Sequence, residues 1–483
     1  MSETHAQTVA YVRDTMVPQQ PPPLGEKGAV KWLRENLFSG PLNIALTLLG
    51  LGILYLVFHT VWPFLAHSVW NANSIAECRQ IVTASYGPDA SGACFALIKH
   101  RWNQFIFGFY PSDLYWRPIL AFGALFMALA PLLFSDSRKA RWIVMAVATF
   151  LTFVFSQMLG ADLGVLLAIA VLMLAWALLI ELRPERAIIA TLIYPFLAVW
   201  LLWGGSLWSP VVAMAGFVIG FLVWKALSRY GMLAFAAGVV AAAIWWLVLD
   251  KHVAAALAQV MPLRLRPVSS DQFGGFVLSI TIGVSGIAMS LPLGVVLALA
   301  RRSDLPLVKT LAVMFIEFIR GVPLITLLFV ASLLLNYFLP PGTNFDIILR
   351  VIIMVTLFSA AYMAEVIRGG LAALPKGQYE AADALGLDYW KAQRLIVLPQ
   401  ALKISIPGIV STFIGMLKDT TLVVFVGLFD PLKAMADTIR ASFEWKGAYW
   451  EPYIFVGSIF FLLCFGMSRY SMYLERRLKR DHR

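Results

Sequence analysis

The sequence predicts an all-α polytopic membrane protein with about 12 transmembrane helices. The chain is 60% hydrophobic and only 13% charged, with a mean hydropathy of +0.78, whereas soluble domains carry about 25% charged residues. Its apolar stretches reach the length that a helix needs to cross the hydrocarbon core of a bilayer. The excess of 38 Lys and Arg over 27 Asp and Glu lies in short clusters between these stretches. Such clusters are typical of membrane topology rather than of nucleic-acid binding.

Residues 1–40 form a polar N-terminal tail. Its proline-rich stretch, residues 18–23, favours a flexible or polyproline conformation. The residues near the start lack the apolar region of a cleaved signal peptide, so we do not expect one here. We expect a cytoplasmic tail that Lys27, Lys31 and Arg34 anchor at the membrane surface.

Seven apolar runs precede residue 250, and five follow it. The first seven lie at about 42–63, 118–134, 142–160, 163–180, 187–204, 210–226 and 231–249. The last five lie at about 273–300, 309–339, 347–367, 404–428 and 452–473. The predicted domains are a transmembrane region 41–250 with an outer loop 65–117, a linker 251–272, a five-helix domain 273–475 and a basic tail 476–483.

Basic clusters set the predicted orientation, because Lys and Arg concentrate in cytoplasmic loops. Five of them fall on the side of the N-terminus, at residues 138–141, 183–186, 225–229, 301–302 and 476–480. We therefore expect both termini in the cytoplasm. Lys251, Arg264 and Arg266 depart from this pattern, since the count places their loop outside.

The outer loop holds two of the three cysteines, Cys78 and Cys94. In an oxidising compartment a disulfide between them would close a loop of about 17 residues, worth about 3 kcal/mol in the chain-entropy model. The alternative is two reduced thiols. Cys464 lies in an apolar run and is expected to pack as a small hydrophobe. The histidines show no metal-ligand spacing, and no phosphate-binding Gly-rich loop occurs, so we expect no metal site and no ATP hydrolysis in this chain.

A polar segment separates the tenth and eleventh apolar runs. Its alanines up to Leu385 favour a short helix, and Gly386 can supply the left-handed turn that ends it. A second short helix is predicted from about Asp388 to Leu398, with Pro399 as its end. Two short helices joined at a glycine suit docking into a cleft on a soluble partner. The alternative is an ordinary interfacial helix pair.

The spacing of this segment resembles a known motif. Glu380, Ala381 and Ala382 are followed after three residues by Gly386, and after nine more by Ile396, Leu398 and Pro399. This pattern resembles the cytoplasmic loop by which permease subunits of ATP-binding-cassette (ABC) importers bind their ATPase. Residues 276–281, 320–324, 364–370 and 418–422 complete a resemblance to the polar-amino-acid branch of these permeases over 273–475. Cys78-Arg79 and Gly92–Cys94 are similar to the outer loop of its longer members, the general L-amino-acid permeases.

The resemblance implies a type I importer permease with a five-helix core, in a bacterial cytoplasmic membrane. Such a subunit moves L-amino acids and is not itself an enzyme. The implied partners are ATPase subunits that bind ATP and Mg²⁺, a second, related permease subunit and a periplasmic amino-acid-binding protein; no cofactor is implied for this chain. The implied ATPase-docking residues are Glu380, Ala381, Ala382, Gly386, Ile396 and Pro399.

Charged residues inside apolar runs are candidates for the translocation pathway, because an unpaired charge is costly in a membrane. These candidates are Lys418, Asp419, Glu317 and Arg320. The alternative for Lys418 and Asp419 is a structural ion pair with another helix, for instance with Glu317 or Arg320. Glu365 and Arg368 lie at the end of a run, where we expect solvation or bracing of the loop.

Two other functions suit a chain of twelve apolar runs. An ATPase-independent secondary transporter or channel is the main alternative, although the seven-plus-five division shows no matching halves. A polytopic membrane enzyme is the third, although no group of His, Asp or Cys gathers at one membrane face.

Overall fold

The structure is a computed structural model, and it describes residues 28–134, 137–158, 160, 162–182, 187–334, 337 and 346–480. Residues 1–27 of the predicted N-terminal tail, the basic cluster at 183–186 and residues 481–483 of the basic tail lie outside the described residues. The chain forms two compact units, Met1–Ala96 and Leu97–Arg483. The predicted linker at 251–272 does not coincide with this division.

The first unit contains three described helices, α1 Gly28–Asn36, α2 Pro41–Ala66 and α3 Ile75–Tyr86. α2 is the first predicted span; proline occupies its first position, where the missing N–H would have had no helical partner. α3 begins at Ser74, whose hydroxyl accepts a hydrogen bond from the Glu77 N–H at 3.2 Å. The Glu77 carboxylate in turn accepts one from the Asn73 N–H at 2.8 Å. These reciprocal bonds fix the start of α3 within the outer loop.

A disulfide joins Cys78 of α3 to Cys94, and both residues are buried. The segment before Cys94 is also held by backbone hydrogen bonds, since Val69 N–H donates to the Ala93 carbonyl at 2.8 Å and Ala93 N–H donates to the Phe64 carbonyl at 2.8 Å. Phe64 belongs to the last turns of α2. The bridge therefore closes a small fold directly after the first span.

The second unit contains the other apolar runs, which form helices over most of their described residues. Its N-terminal helices are α4 Ala96–Phe107, α5 Trp116–Leu133, α6 Arg138–Met158, α7 Leu163–Leu182, α8 Ala187–Trp203, α9 Trp208–Ala226, α10 Met232–Ile244 and α11 Asp250–Val260. Its C-terminal helices are α12 Gly275–Arg301, α13 Pro306–Gly321, α14 Leu324–Phe329, α15 Ile347–Ala372, α16 Gly377–Ala384, α17 Tyr389–Ala392, α18 Leu398–Asp419, α19 Pro431–Ala441 and α20 Trp450–Arg480.

The helix count agrees with the predicted fold class. Among the described residues nine helices are long and apolar enough to span a membrane, or ten if one bent pair is a single span. Two shorter apolar helices, Leu163–Leu178 and Thr191–Trp203, account for the other predicted runs. Two strands of two residues each pair antiparallel. β1 Gly205–Ser206 lies between α8 and α9, and β2 Arg264–Leu265 lies between α11 and α12.

The seventh run is longer than predicted, because a π-turn at Trp245–Leu249 joins α10 to α11 and the helix ends only at Val260. Half of the predicted linker is therefore helical, in keeping with the high helix propensity of its alanines. The turn directs the indole N–H groups of Trp245 and Trp246 to carbonyls of α9, at 2.9 Å each.

The ninth run is broken. α13 and α14 meet at an angle of 103°, and Pro323, which has no N–H to donate, lies at the bend. A new helix starts there, with the Thr326 N–H donating to the Pro323 carbonyl at 3.0 Å. The proline accounts for the break, because it cannot continue the backbone hydrogen bonding of α13.

α12 packs through a stripe of small residues. Ser279, Gly283, Gly286, Ser290 and Gly294 are all buried. A Cβ built on Gly294 would lie 2.6 Å from Met363 of α15, and one on Gly286 would lie 3.0 Å from Met416 of α18. The helices approach so closely that larger side chains would not fit.

A strap, residues 264–273, fastens the N-terminal helices of the second unit to its C-terminal domain. The Trp203 indole N–H donates to the Ser270 hydroxyl at 2.8 Å, and the buried Arg117 guanidinium donates to the Arg266 carbonyl at 2.6 Å. The two regions are therefore packed as one body.

Contacts at both ends of the bundle support this packing. Arg266, one of the basic residues that the topology count places outside, forms an ion pair with Asp113 at 3.0 Å. At the far end of α5 from the strap, the Tyr470 hydroxyl of α20 donates to the Leu133 carbonyl at 2.6 Å.

The disulfide generates the first prediction. A membrane-impermeant maleimide added to intact cells should label Cys78 and Cys94 only after mild reduction, because the bridge blocks both thiols. Labelled fractions would be read by mass spectrometry, with the Cys464→Ser variant as background to remove the third thiol. Labelling of both cysteines without reductant would contradict the bridge.

Candidate functional site

The polar segment between α15 and α18, residues 377–399, is the docking loop. α16 ends in a glycine cap: the Leu387 N–H donates to the Ala382 carbonyl at 3.2 Å, and the Gly386 N–H donates to the Asp383 carbonyl at 2.9 Å. Gly386 has φ +66°, so the predicted left-handed turn is present. A Cβ at Gly386 would meet no atom within 4 Å, so backbone conformation alone favours glycine here.

The second half of the docking loop begins at Asp388, whose carboxylate accepts a hydrogen bond from the Lys391 N–H at 2.9 Å. The Lys391 ammonium lies 3.0 Å from the same carboxylate. The backbone hydrogen bond from Lys391, more than its charge, lowers the pKa of Asp388. This N-cap fixes the direction in which the chain leaves the glycine turn.

The prediction that a second short helix stops at Pro399 is wrong. α17 passes through a π-turn, Gln393–Val397, directly into α18, and the Leu398 N–H donates to the Gln393 carbonyl. Pro399 therefore occupies the first turn after the π-turn, where a missing N–H costs little. Consequently the second half of the docking loop is the beginning of one helical path, Tyr389–Val426, that continues into the membrane.

The docking loop has a buried face and an exposed one. Ala382 and Val397 are buried, and Val397 packs in a hydrophobic cluster with residues of α15 and α18. On the exposed face, Leu385, Trp390 and Leu395 are 72%, 70% and 64% accessible. An apolar patch on a polar loop is typical of a protein contact. Of the other candidate docking residues, Glu380, Ala381 and Pro399 are exposed and Ile396 is half-buried.

Two side-chain contacts tie α16 to the helices around it. The Gln400 amide of α18 donates to the Gln378 carbonyl oxygen at 2.8 Å. The Arg302 guanidinium, just after α12, donates to the Tyr379 hydroxyl at 3.0 Å. The docking loop is thus fastened to both α12 and α18.

Next to this contact lies a charge cluster centred on Glu365 of α15, whose side chain is 18% exposed. Arg301 lies 2.5 Å, Arg368 3.1 Å and Arg320 3.8 Å from its carboxylate oxygens. Glu317 joins the cluster through Arg301 at 2.9 Å and Arg320 at 3.9 Å. The cluster connects α12, α13 and α15. Sequence reasoning missed Arg301, since its distance along the chain from Glu365 gives no signal of the contact.

The charge cluster separates the four pathway candidates into two groups. Glu317 and Arg320 contact cluster members, not Lys418 or Asp419, so the ion pair considered as the alternative is not formed. Their position fits bracing of the helices beside the docking loop.

Lys418 and Asp419 lie where α18 ends and a 3₁₀ segment, Thr420–Val426, begins. Leu417 and Thr420 contact α12 at the position of Gly283. The two charged residues between them lie on a different side of the helix, with Lys418 exposed and Asp419 half-buried. Within the described part of the chain, no group of three or more His, Cys, Asp and Glu residues is placed to hold a metal ion.

Two known proteins match nearly the whole chain, and a family model matches its C-terminal part. A family model described as "binding-protein-dependent transport system inner membrane component" matches residues 290–480. The glutamate/glutamine/aspartate/asparagine transport system permease protein BztC of Rhodobacter capsulatus is 56% identical over 98% of this chain and 99% of its own length. The inner membrane amino-acid ABC transporter permease protein YhdY of Escherichia coli is 35% identical over 95% and 96%. A crystal structure of an amino acid ABC transporter with histidines shares 32% identity, covering 42% of this chain and 91% of its own, with a TM-score of 0.37.

The charge cluster generates the second prediction. Glu365→Gln should lower the free energy of unfolding by about 1–3 kcal/mol, because three arginines lose their shared, largely buried carboxylate. Thermal unfolding of the purified protein in detergent measures this change. The matched control is Glu317→Gln, since that side chain is 52% exposed and should cost about 0–1 kcal/mol. Equal melting temperatures for the two variants would show that Glu365 is not the centre of the cluster.

Proposed function

The chain belongs to the amino-acid permease subunits of ABC importers, and on this premise we propose that it forms half of a membrane pathway driven by a separate ATPase through the docking loop. The membership rests on identity across nearly the full length of two relatives. Family membership implies that an ATPase and a substrate-binding protein work with this chain. The observation that carries the proposed coupling is the continuity of the docking loop with α18.

The coupling follows from the contacts of the docking loop. Leu385, Trp390 and Leu395 present the apolar patch that an ATPase cleft would cover. Because α17, the π-turn and α18 form one helical path, a displacement of Trp390 and Leu395 would move α18 along with them. The Gln378–Gln400 and Tyr379–Arg302 contacts make α16 move with α18 and α12. When ATP closes the ATPase subunits, the helices that border the pathway would then change their tilt.

We assign Lys418 and Asp419 to the pathway wall. They lie away from Leu417 and Thr420, the residues of this segment that face Gly283 of α12, and we place the second, related permease subunit on their side. An ammonium and a carboxylate match the two charged groups of a zwitterionic amino acid. Glu317 and Arg320 are not assigned to the pathway, since the charge cluster holds both.

The substrate class and the location follow by analogy with the relatives. The Rhodobacter capsulatus permease is named for glutamate, glutamine, aspartate and asparagine, and we propose that this chain carries amino acids of the same kind. The location is then a bacterial cytoplasmic membrane, with the docking loop and both termini in the cytoplasm and the Cys78–Cys94 fold outside. A secondary transporter is the weaker candidate, because it would need no apolar patch on a polar loop.

The docking loop generates the third prediction. Gly386→Val should abolish stimulation of ATP hydrolysis by the loaded binding protein, because a β-branched residue at φ +66° is strained by about 1–3 kcal/mol. The assay is ATP turnover of the transporter in proteoliposomes, with co-purification of the ATPase as a second readout.

The matched control is Gly386→Asn, since asparagine tolerates the left-handed conformation and space around the site is open. It should retain most of the stimulation. Normal turnover and uptake in Gly386→Val would show that the docking loop is not the coupling element.

The pathway assignment generates the fourth prediction. Asp419→Asn should reduce uptake at least tenfold while the ATPase still co-purifies, because it removes a charge and keeps the size of the side chain. Radiolabelled amino-acid uptake into proteoliposomes measures the effect. Glu444→Gln, which neutralises an exposed carboxylate between α19 and α20, is the control. Loss of assembly together with uptake would instead identify Asp419 as half of a structural ion pair.

A further inference from the structure

A groove of about 410 Å³ lies between α6 and α7, in the helices that precede the permease domain. Met145 and Met173, both fully buried, form its floor. Ala177 also lines the groove, and its small side chain leaves room beside the methionines. Phe150 and Leu174 form an exposed rim. The groove therefore opens sideways, towards the lipid of a membrane that these helices span.

The groove is chemically apolar. Two residues of its lining carry polar side-chain groups, Trp142 at one end and Thr149 further along α6. The Thr149 hydroxyl donates to the Met145 carbonyl at 2.9 Å, so that donor is already used within the helix. A polar solute would lose its hydration without gaining a partner. Hydrocarbon has no hydrogen bonds to lose there, and it would fill a void whose lining otherwise lacks van der Waals contacts.

The length of the groove matches one leaflet of a bilayer. Its lining runs along α6 from Trp142 to Phe153, which at 1.5 Å per residue is about 16 Å. Half of the hydrocarbon core is about 15 Å. A single acyl chain from one leaflet would therefore lie along the whole groove.

The Trp142 end of the groove is positively charged. Arg138, Lys139 and Arg141 occupy the first turn of α6, and Glu181 of α7 pairs with Arg138 at 2.5 Å and Arg141 at 3.8 Å. These four side chains carry a net charge of about +2 at neutral pH. Arg138 stands one turn before Trp142, on the groove side of α6. Cations in the first turn oppose the helix dipole, so an anion bound beside them would relieve an unfavourable interaction.

We propose that this groove binds an anionic phospholipid, with one acyl chain between α6 and α7 and the phosphate at Arg138, Lys139 and Arg141. Both parts are needed: the apolar channel selects a hydrocarbon tail, and the basic end selects a negative headgroup. The lipid would fill the gap between two helices of the N-terminal region, and would make their packing depend on the lipid composition of the membrane.

The experiment compares lipid retention by native mass spectrometry. The assembled transporter is purified in mild detergent from vesicles of equimolar phosphatidylglycerol and phosphatidylcholine with identical acyl chains. We expect phosphatidylglycerol to be retained at least threefold over phosphatidylcholine. Ala146→Phe, which fills the groove from an exposed position, should reduce this retention at least threefold. Val147→Phe is the matched control, because Val147 is the next residue, is half exposed and lies outside the lining.

A charge variant separates headgroup from tail. Lys139→Gln should reduce the preference for phosphatidylglycerol and leave retained phosphatidylcholine unchanged. Equal retention of the two lipids by the unmodified protein would overturn the proposal, and so would equal retention in Ala146→Phe and Val147→Phe. If Ala146→Phe lowers the yield of assembled transporter but not the retained phosphatidylglycerol, the groove is a protein interface and the lipid proposal is wrong.

Discussion

Hydrocarbon offers no hydrogen bonds, and this constraint governs the rest of the structure. A peptide group inside a bilayer must bond within its own segment, so the spanning chain is helical. An isolated charge there is costly, so ionisable residues pair, face water or carry function. Glu365 illustrates the second rule, because three arginines from three helical segments share its carboxylate.

The places where regular α-helix is interrupted are the informative ones. Pro323 bends the ninth run, and π-turns at Trp245–Leu249 and Gln393–Val397 shift helix register without ending the helix. Each interruption moves side chains to a face that regular α-helix would not give them. The π-turn at Trp245–Leu249 directs two indole N–H groups to carbonyls of α9. The π-turn at Gln393–Val397 joins the second half of the docking loop to α18 in one helical path.

The N-terminal helices of the second unit are part of the same packed body as the permease domain. The strap at 264–273 holds them at one end of the bundle, and the Tyr470–Leu133 contact holds them at the other. A movement of α18 or α20 during transport would therefore be resisted or transmitted by these helices. If the groove between α6 and α7 holds a lipid, the membrane itself contributes to that resistance.

The sequence alone determined the features that depend on neighbouring residues. Apolar length specified the spans, and the lack of a side chain let Gly386 adopt its left-handed turn. The four-residue steps from Ser279 to Gly283 and from Gly286 through Ser290 to Gly294 specified a close-packing face. Tertiary structure decided what depends on distant segments: the pairing of Arg301 with Glu365, the strap on Arg117 and the groove beside α6. Pro399 belongs to this second group. From the sequence a proline predicts a helix end, but in the folded chain a π-turn accommodates it, and Val397 at the end of that turn is buried in a cluster with residues of α15 and α18. Helix propensity differs by less than about 1 kcal/mol among ordinary residues and by about 3 kcal/mol for proline, and the burial of several side chains within a packed bundle outweighs it.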